Sequence, residues 1–87
     1  MAFIVGVQFQ EGTNQKGMPY KGYAFYATEE LKKGEGVRTL PRVYVSYRNA
    51  EPFVSHFENL KDMLGVEVEF FYNNYNPPQC VDIRLMK

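Results

Sequence analysis

One cysteine, Cys80, and one histidine, His56, are all the chain offers of the two residue types that most often hold metals or carry nucleophilic catalysis. A lone cysteine excludes an internal disulfide, so the fold stands without covalent staples. Zinc needs several Cys or His ligands, and one of each is too few. Nucleophile–histidine–acid catalysis needs a placed imidazole base, and His56 lies on the flank of an expected helix. Gly34-Glu35-Gly36 lacks the downstream Gly-Lys-Ser/Thr that completes a phosphate loop. No apolar run approaches the roughly 18 residues of a membrane span, and no charged-then-apolar leader opens the chain. The reading is therefore a cytoplasmic, non-enzymatic binding protein with no cofactor, no metal and no membrane contact. Tryptophan is absent, and the formal net charge is zero, which argues against a uniformly basic nucleic-acid binder.

Rings and alternation are what the chain has. Seven Tyr and seven Phe make 16 % of 87 residues, within an apolar fraction of 45 %. That suffices for one domain, 1–87, and leaves rings over for a surface, where Tyr is the tolerant type. Residues 1–50 hold seven Lys/Arg against four Glu, and residues 51–87 hold three against six acids. A dipolar molecule follows if the halves stay apart in space.

Residues 2–10 alternate as a strand, with Phe3, Val5, Val7 and Phe9 on one face and a bulge or close neighbour expected at Gly6. Residues 11–19 are a turn-rich hairpin tip. Residues 20–28 form a second strand, with Tyr20, Gly22, Ala24 and Tyr26 on one face and Lys21, Tyr23, Phe25 and Ala27 on the other. Thr28 is expected to cap a short helical turn, EELKK, anchored by Leu31 and stopped by Gly34. Residues 36–40 are a short extension ending at Pro41. Residues 42–48 alternate again, with Val43, Val45 and Tyr47 opposite Arg42, Tyr44, Ser46 and Arg48.

One amphipathic helix is expected over 50–64, with Phe53, Phe57, Leu60 and Leu64 as its stripe, Pro52 in its first turn and Gly65 as its stop. Strands over 66–72 and 79–86 close the chain as a hairpin. Val66, Val68, Phe70 and Tyr72 of the first, and Val81, Ile83 and Leu85 of the second, are expected to point inward, with Glu67 and Glu69 outward. The fold class is α+β: a small five-stranded antiparallel sheet, or an OB-like barrel, with one helix.

The most specific local signal is GTNQKGMPYKGYAFY, residues 12–26. Lys16 sits on a flexible tip, and Tyr20, Lys21, Tyr23, Phe25 and Tyr26 follow. Arg42, Tyr44 and Arg48 repeat the mixture on another strand. Non-specific single-strand binders need this pattern, because cations track phosphates and flat rings stack on unpaired bases. Gly12-Thr13 followed by Lys16-Gly17-Met18-Pro19-Tyr20 resembles the DNA-binding wing of filamentous-phage single-stranded DNA-binding proteins of the gene V type. Val81-Asp82-Ile83-Arg84-Leu85 resembles the last strand of those proteins. The resemblance implies an OB-like barrel, a homodimer, cooperative coating of single strands, and wing contacts by Lys16 and Tyr20.

A second reading stands beside it. Glu67 and Glu69 on one strand face, with Tyr72 and Tyr75 in or next to a Tyr-Asn-rich loop, suit a surface that binds and inhibits a host protein for a phage or mobile element.

Overall fold

The computed structural model describes residues 2–76 and 78–86. Six strands form one antiparallel sheet: β1 Ala2–Thr13, β2 Pro19–Glu30, β3 Val37–Thr39, β4 Val43–Ser46, β5 Glu67–Tyr72 and β6 Cys80–Leu85. The order is β3-β2-β1-β5-β6, with β4 paired to the edge of β2 that β3 occupies further along. A helix α1, Tyr47–Val54, and a 3₁₀ turn, Leu60–Met63, connect β4 to β5. The sheet is open. β4 lies near β6, yet no ladder joins them among the described residues. No helix among these residues is long and apolar enough to cross a membrane.

β1 and β2 are the longest strands, at 12 residues each, and pair down to Thr13↔Pro19. At about 3.4 Å per residue, such a strand spans about 40 Å. β5 covers the other side of β1 only at Ala2 and Phe3, extended by Ile4 N donating to the Val66 carbonyl. From Val5 onward the outer edge of β1 pairs with no strand among the described residues, so the hairpin projects from the body as a wing.

The core lies on one side of the sheet. Phe25, Ile4, Met63, Val45 and Val68 are its largest fully buried side chains. Phe25 sits at the centre, with its ring centroid 6.0 Å from that of Phe53 on α1 and 6.2 Å from that of Phe70 on β5.

Two bulges alter the expected alternation. In β1, Ile4 pairs with Ala27 and Gly6 with Tyr26, which leaves Val5 as an extra residue. Ala2 and Ile4 therefore face the core before the bulge, and Val7 and Phe9 face that side after it. Phe3 is half-buried and Val5 is 56 % exposed. In β6, Phe71 pairs with Asp82 and Tyr72 with Cys80, which leaves Val81 unpaired. Cys80 and Ile83 are buried, while Val81 and Leu85 are exposed. A bulge puts two residues opposite one, so a strand with strict alternation on paper changes face at that point.

The 50–64 helix is corrected to two shorter pieces. Ser46 caps α1, its Oγ accepting from Asn49 N at 3.4 Å. The helix thus starts before residue 50, and Pro52 lies in its interior, where its ring removes the hydrogen bond to the Arg48 carbonyl. After Val54 the chain tightens, with His56 N and Phe57 N donating to the Phe53 and Val54 carbonyls. Asn59 N then donates to Asp62 Oδ2 at 3.2 Å and starts the 3₁₀ turn. Met63 takes the buried place, Phe57 is half-buried, and Leu60 and Leu64 are exposed.

The expected helical turn after Thr28 is also absent. β2 runs on to Glu30 and pairs with β3, joined across the sheet by the Arg38–Glu29 ion pair. Leu31 is exposed beyond the strand end.

Candidate nucleic-acid interface

Partners in an antiparallel ladder share a face, so the register defines the side of the sheet away from the core. It carries Gly6, Gln8, Gln10 and Gly12 from β1. Tyr20, Gly22, Ala24 and Tyr26 come from β2, and Tyr44 and Ser46 from β4. Each tyrosine of this face lies across a glycine of a neighbouring strand. A methyl group built on Gly12 would stand 3.1 Å from the Tyr20 hydroxyl. One on Gly6 would stand 3.3 Å from the Tyr26 ring, and one on Gly22 would stand 2.6 Å from the Tyr44 hydroxyl. The glycines leave room for the rings to lie down on the sheet. Tyr20 and Tyr26 stay well exposed, at 43 % and 39 %.

Tyr20 and Tyr44 meet edge to face, with centroids 6.3 Å apart. Burial, and next the neighbouring Tyr20, push the Tyr44 phenol up from its ordinary value. Arg42 approaches from the start of β4, its Nη1 donating to Gln10 Oε1 at 3.1 Å. Phe9, Gln10, Glu11, Asn14, Tyr20, Arg42 and Tyr44 together line a shallow hollow beside the wing, so Glu11 is an acid within it.

Asn14 shapes the wing tip. Its Oδ1 accepts from Lys16 N at 2.9 Å and from Met18 N at 3.0 Å. Gly17 closes the turn in the left-handed region at φ +80. Lys16 is exposed at the apex.

The seven residues expected at a nucleic-acid surface therefore divide. Tyr20, Arg42 and Tyr44 come together, with Lys16 beyond them at the tip. Lys21 and Tyr23 belong to the opposite face. Lys21 Nζ lies 4.4 Å from the Tyr47 ring centroid, and Tyr47 stacks on Tyr23 at 6.0 Å. Tyr23 is buried there, and burial raises its phenol first, before the neighbouring Tyr47 and Glu51. Arg48 is exposed in the first turn of α1. Gln10 was not expected at the site, and Phe25, expected in the same run of rings as Tyr26, is buried at the centre of the core. The spacing Tyr20-x-x-x-x-x-Tyr26 was visible in the sequence, but the glycine beneath each ring depends on the register.

The four residues of the acidic reading are spread along β5 and the loop that follows it, with Glu67 and Glu69 on one face of the strand. Glu69 stands opposite Arg84 in the ladder and Glu67 opposite Phe3. Arg84 nevertheless turns to Asp82, at 2.8 Å, and lies over the Phe71 ring. Tyr72 is at the far end of β5, and Tyr75 projects from a loop organised by Asn73, whose Oδ1 accepts from Tyr75 N and Gln79 N.

The two charge classes are partly mixed. Lys16, Lys21, Arg38 and Arg42 lie in the region of β1 to β4 together with Glu11, Glu29 and Glu30, and Glu67, Glu69 and Asp82 lie on β5 and β6 with Arg84. Among the described residues no three of His, Cys, Asp or Glu gather into a metal-binding group.

Comparison with protein-family models, with curated proteins and with solved structures gave no match to this chain.

Proposed function

We propose that this protein binds single-stranded nucleic acid across the wing face, with Tyr20, Tyr26 and Tyr44 as stacking platforms and Lys16 and Arg42 as phosphate contacts. The observation that carries this reading is the seating of three tyrosines over three glycines on one sheet face. It keeps flat rings accessible at the surface instead of spending them in the core. Stacking on an aromatic ring contributes roughly 1–3 kcal/mol per base and tolerates any sequence. Zero net charge does not by itself oppose the reading, since the field that a strand meets is local; on the wing Lys16 and Arg42 supply the positive charge, with Glu11 the acid beside them.

The likeness to the gene V type belongs with this reading. So does an OB-like description of the sheet, in which β4 and β6 approach as the two ends of a curled ladder. A homodimer has an available surface in the outer edge of β1 beyond Ile4, which carries no proline or lysine to block pairing.

The test is titration of fluorescent oligo-dT at low salt and then at rising salt. Saturable binding should weaken with a log–log slope near −0.7 for each phosphate neutralised, and Tyr20→Ala should reduce it. Absence of binding at low salt, where the electrostatic attraction is largest, would reject the reading.

A further inference from the structure

Arg42 and Tyr44 line two hollows at once. One is the wing-side hollow already described. The other, of about 840 Å³, opens between two walls. β4 and the start of α1 make one wall, with Tyr44, Ser46 and Asn49. The end of β5 and the start of β6 make the other, with Tyr72, Asn73 and Cys80. Its volume falls within the range of small-ligand sites, about 300–1,000 Å³.

The lining is specific in kind. Arg42, at the rim shared with the wing side, is its one charged residue among the described residues. Tyr72 is 53 % exposed, so its ring is available to a guest. The Asn73 oxygen is committed to two backbone N–H groups. The side-chain amide of Asn49, half-buried, makes no hydrogen bond among the described residues, although its backbone N–H donates to Ser46. An apolar floor, an aromatic ring on each wall and an uncommitted amide are what an unpaired base requires, since such bases are stacked on rings and read along their edges.

We infer that this hollow takes one unpaired base of the bound strand, held between Tyr44 and Tyr72 and read by the Asn49 amide. The inference rests on the single-strand reading and adds base selectivity to it. An amide offers one donor and one acceptor side by side, which matches adenine. The preferred base is therefore adenine, and Arg42 holds the phosphate between the two hollows.

The experiment compares fluorescent oligo-dT with the same oligonucleotide carrying one central adenine or one central cytosine. The adenine oligomer should bind roughly five- to a hundredfold more tightly than oligo-dT, the ratio expected of one bidentate amide contact. Asn49→Ala and Tyr72→Ala should each bring it down to the oligo-dT level with the salt slope unchanged. Asn49→Asp, which offers acceptors alone, should favour cytosine instead. Equal affinity for all three oligomers, with salt-dependent binding intact, would overturn the pocket and leave the single-strand reading standing. So would an adenine preference that survives Asn49→Ala in a variant of unchanged melting temperature. Failure to bind any oligomer would overturn both.

Discussion

The Tyr44 ring lies across Gly22, with its hydroxyl 2.6 Å from the point where a side chain at that glycine would begin. The backbone of Val45 is closer still. A glycine in a strand interior ordinarily weakens it through lost contacts and added chain entropy. Here the ring of the adjoining strand covers the gap, and the glycine is what admits the ring.

Gly22→Ala should therefore destabilise the fold. The added methyl meets a backbone carbonyl that cannot step aside, and forced overpacking of this kind costs about 1–3 kcal/mol. For a domain of this size each kcal/mol lowers the midpoint by about 4–8 °C. A thermal melt of the variant checks this, and an unchanged midpoint would show that β4 can move off β2.

Tyr20→Ala and Tyr44→Ala should each weaken oligo-dT binding by about 1–3 kcal/mol without altering the salt slope, because a ring carries no charge. Arg42→Ala should reduce the slope by about 0.7. Tyr20 and Tyr44 touch, so the double variant should depart from the sum of the single losses. Fluorescence anisotropy at several salt concentrations separates the two effects.

Asn14→Ala should loosen the wing tip while leaving the core intact. Two backbone donors, on Lys16 and Met18, lose their acceptor. Amide hydrogen exchange should accelerate at those two positions and stay unchanged at Phe25. Lys16 would then be less well placed, and oligo-dT affinity should fall more than in a charge-neutral tip variant such as Gln15→Ala.

Burial pushes the Cys80 thiol above its ordinary 9.0. The folded state thus holds this proton more tightly than the unfolded state does. The resulting stability is fully present below pH 9.0 and is lost as pH rises through the higher folded value. Cys80 should react slowly with iodoacetamide at neutral pH and quickly after denaturation. An oligonucleotide seated against Tyr72 and Cys80 should slow the reaction further.

Much of the sheet was legible because its strands alternate: 42–48, 66–72 and 79–86 contain β4, β5 and β6, while 2–10 and 20–28 fall inside the longer β1 and β2, whose pairing runs on into the turn-rich wing. The sides taken by individual residues were less legible. Gly6 signalled a bulge, but a bulge also reverses every assignment on one side of it, which moved Ile4 inward and Val5 outward. The helix was overextended because Phe53, Phe57, Leu60 and Leu64 keep helical spacing through Asn59, whose pairing with Asp62 restarts the chain in a new direction. The tyrosine face was half visible, since Tyr20, Gly22, Ala24 and Tyr26 share it by simple alternation. Its other members needed the register: Gly12 meets Tyr20 only through the hairpin, and Tyr44 reaches Gly22 only because β4 pairs with β2.

The extra residue in β1 makes its two halves separately editable. Residues 2–4 are held by β5 as well as by β2, and residues 6–13 pair with β2 alone among the described residues. Loss of Val5 would leave every partner on both sides of it in place, whereas loss of Gln8 would throw Phe9 among the tyrosines. One position along the hairpin thus tolerates a change of length, and what changes there is heading, because a bulge adds local twist. Shortening β1 at that point would keep the tyrosine platform and swing it to a new bearing on the same body.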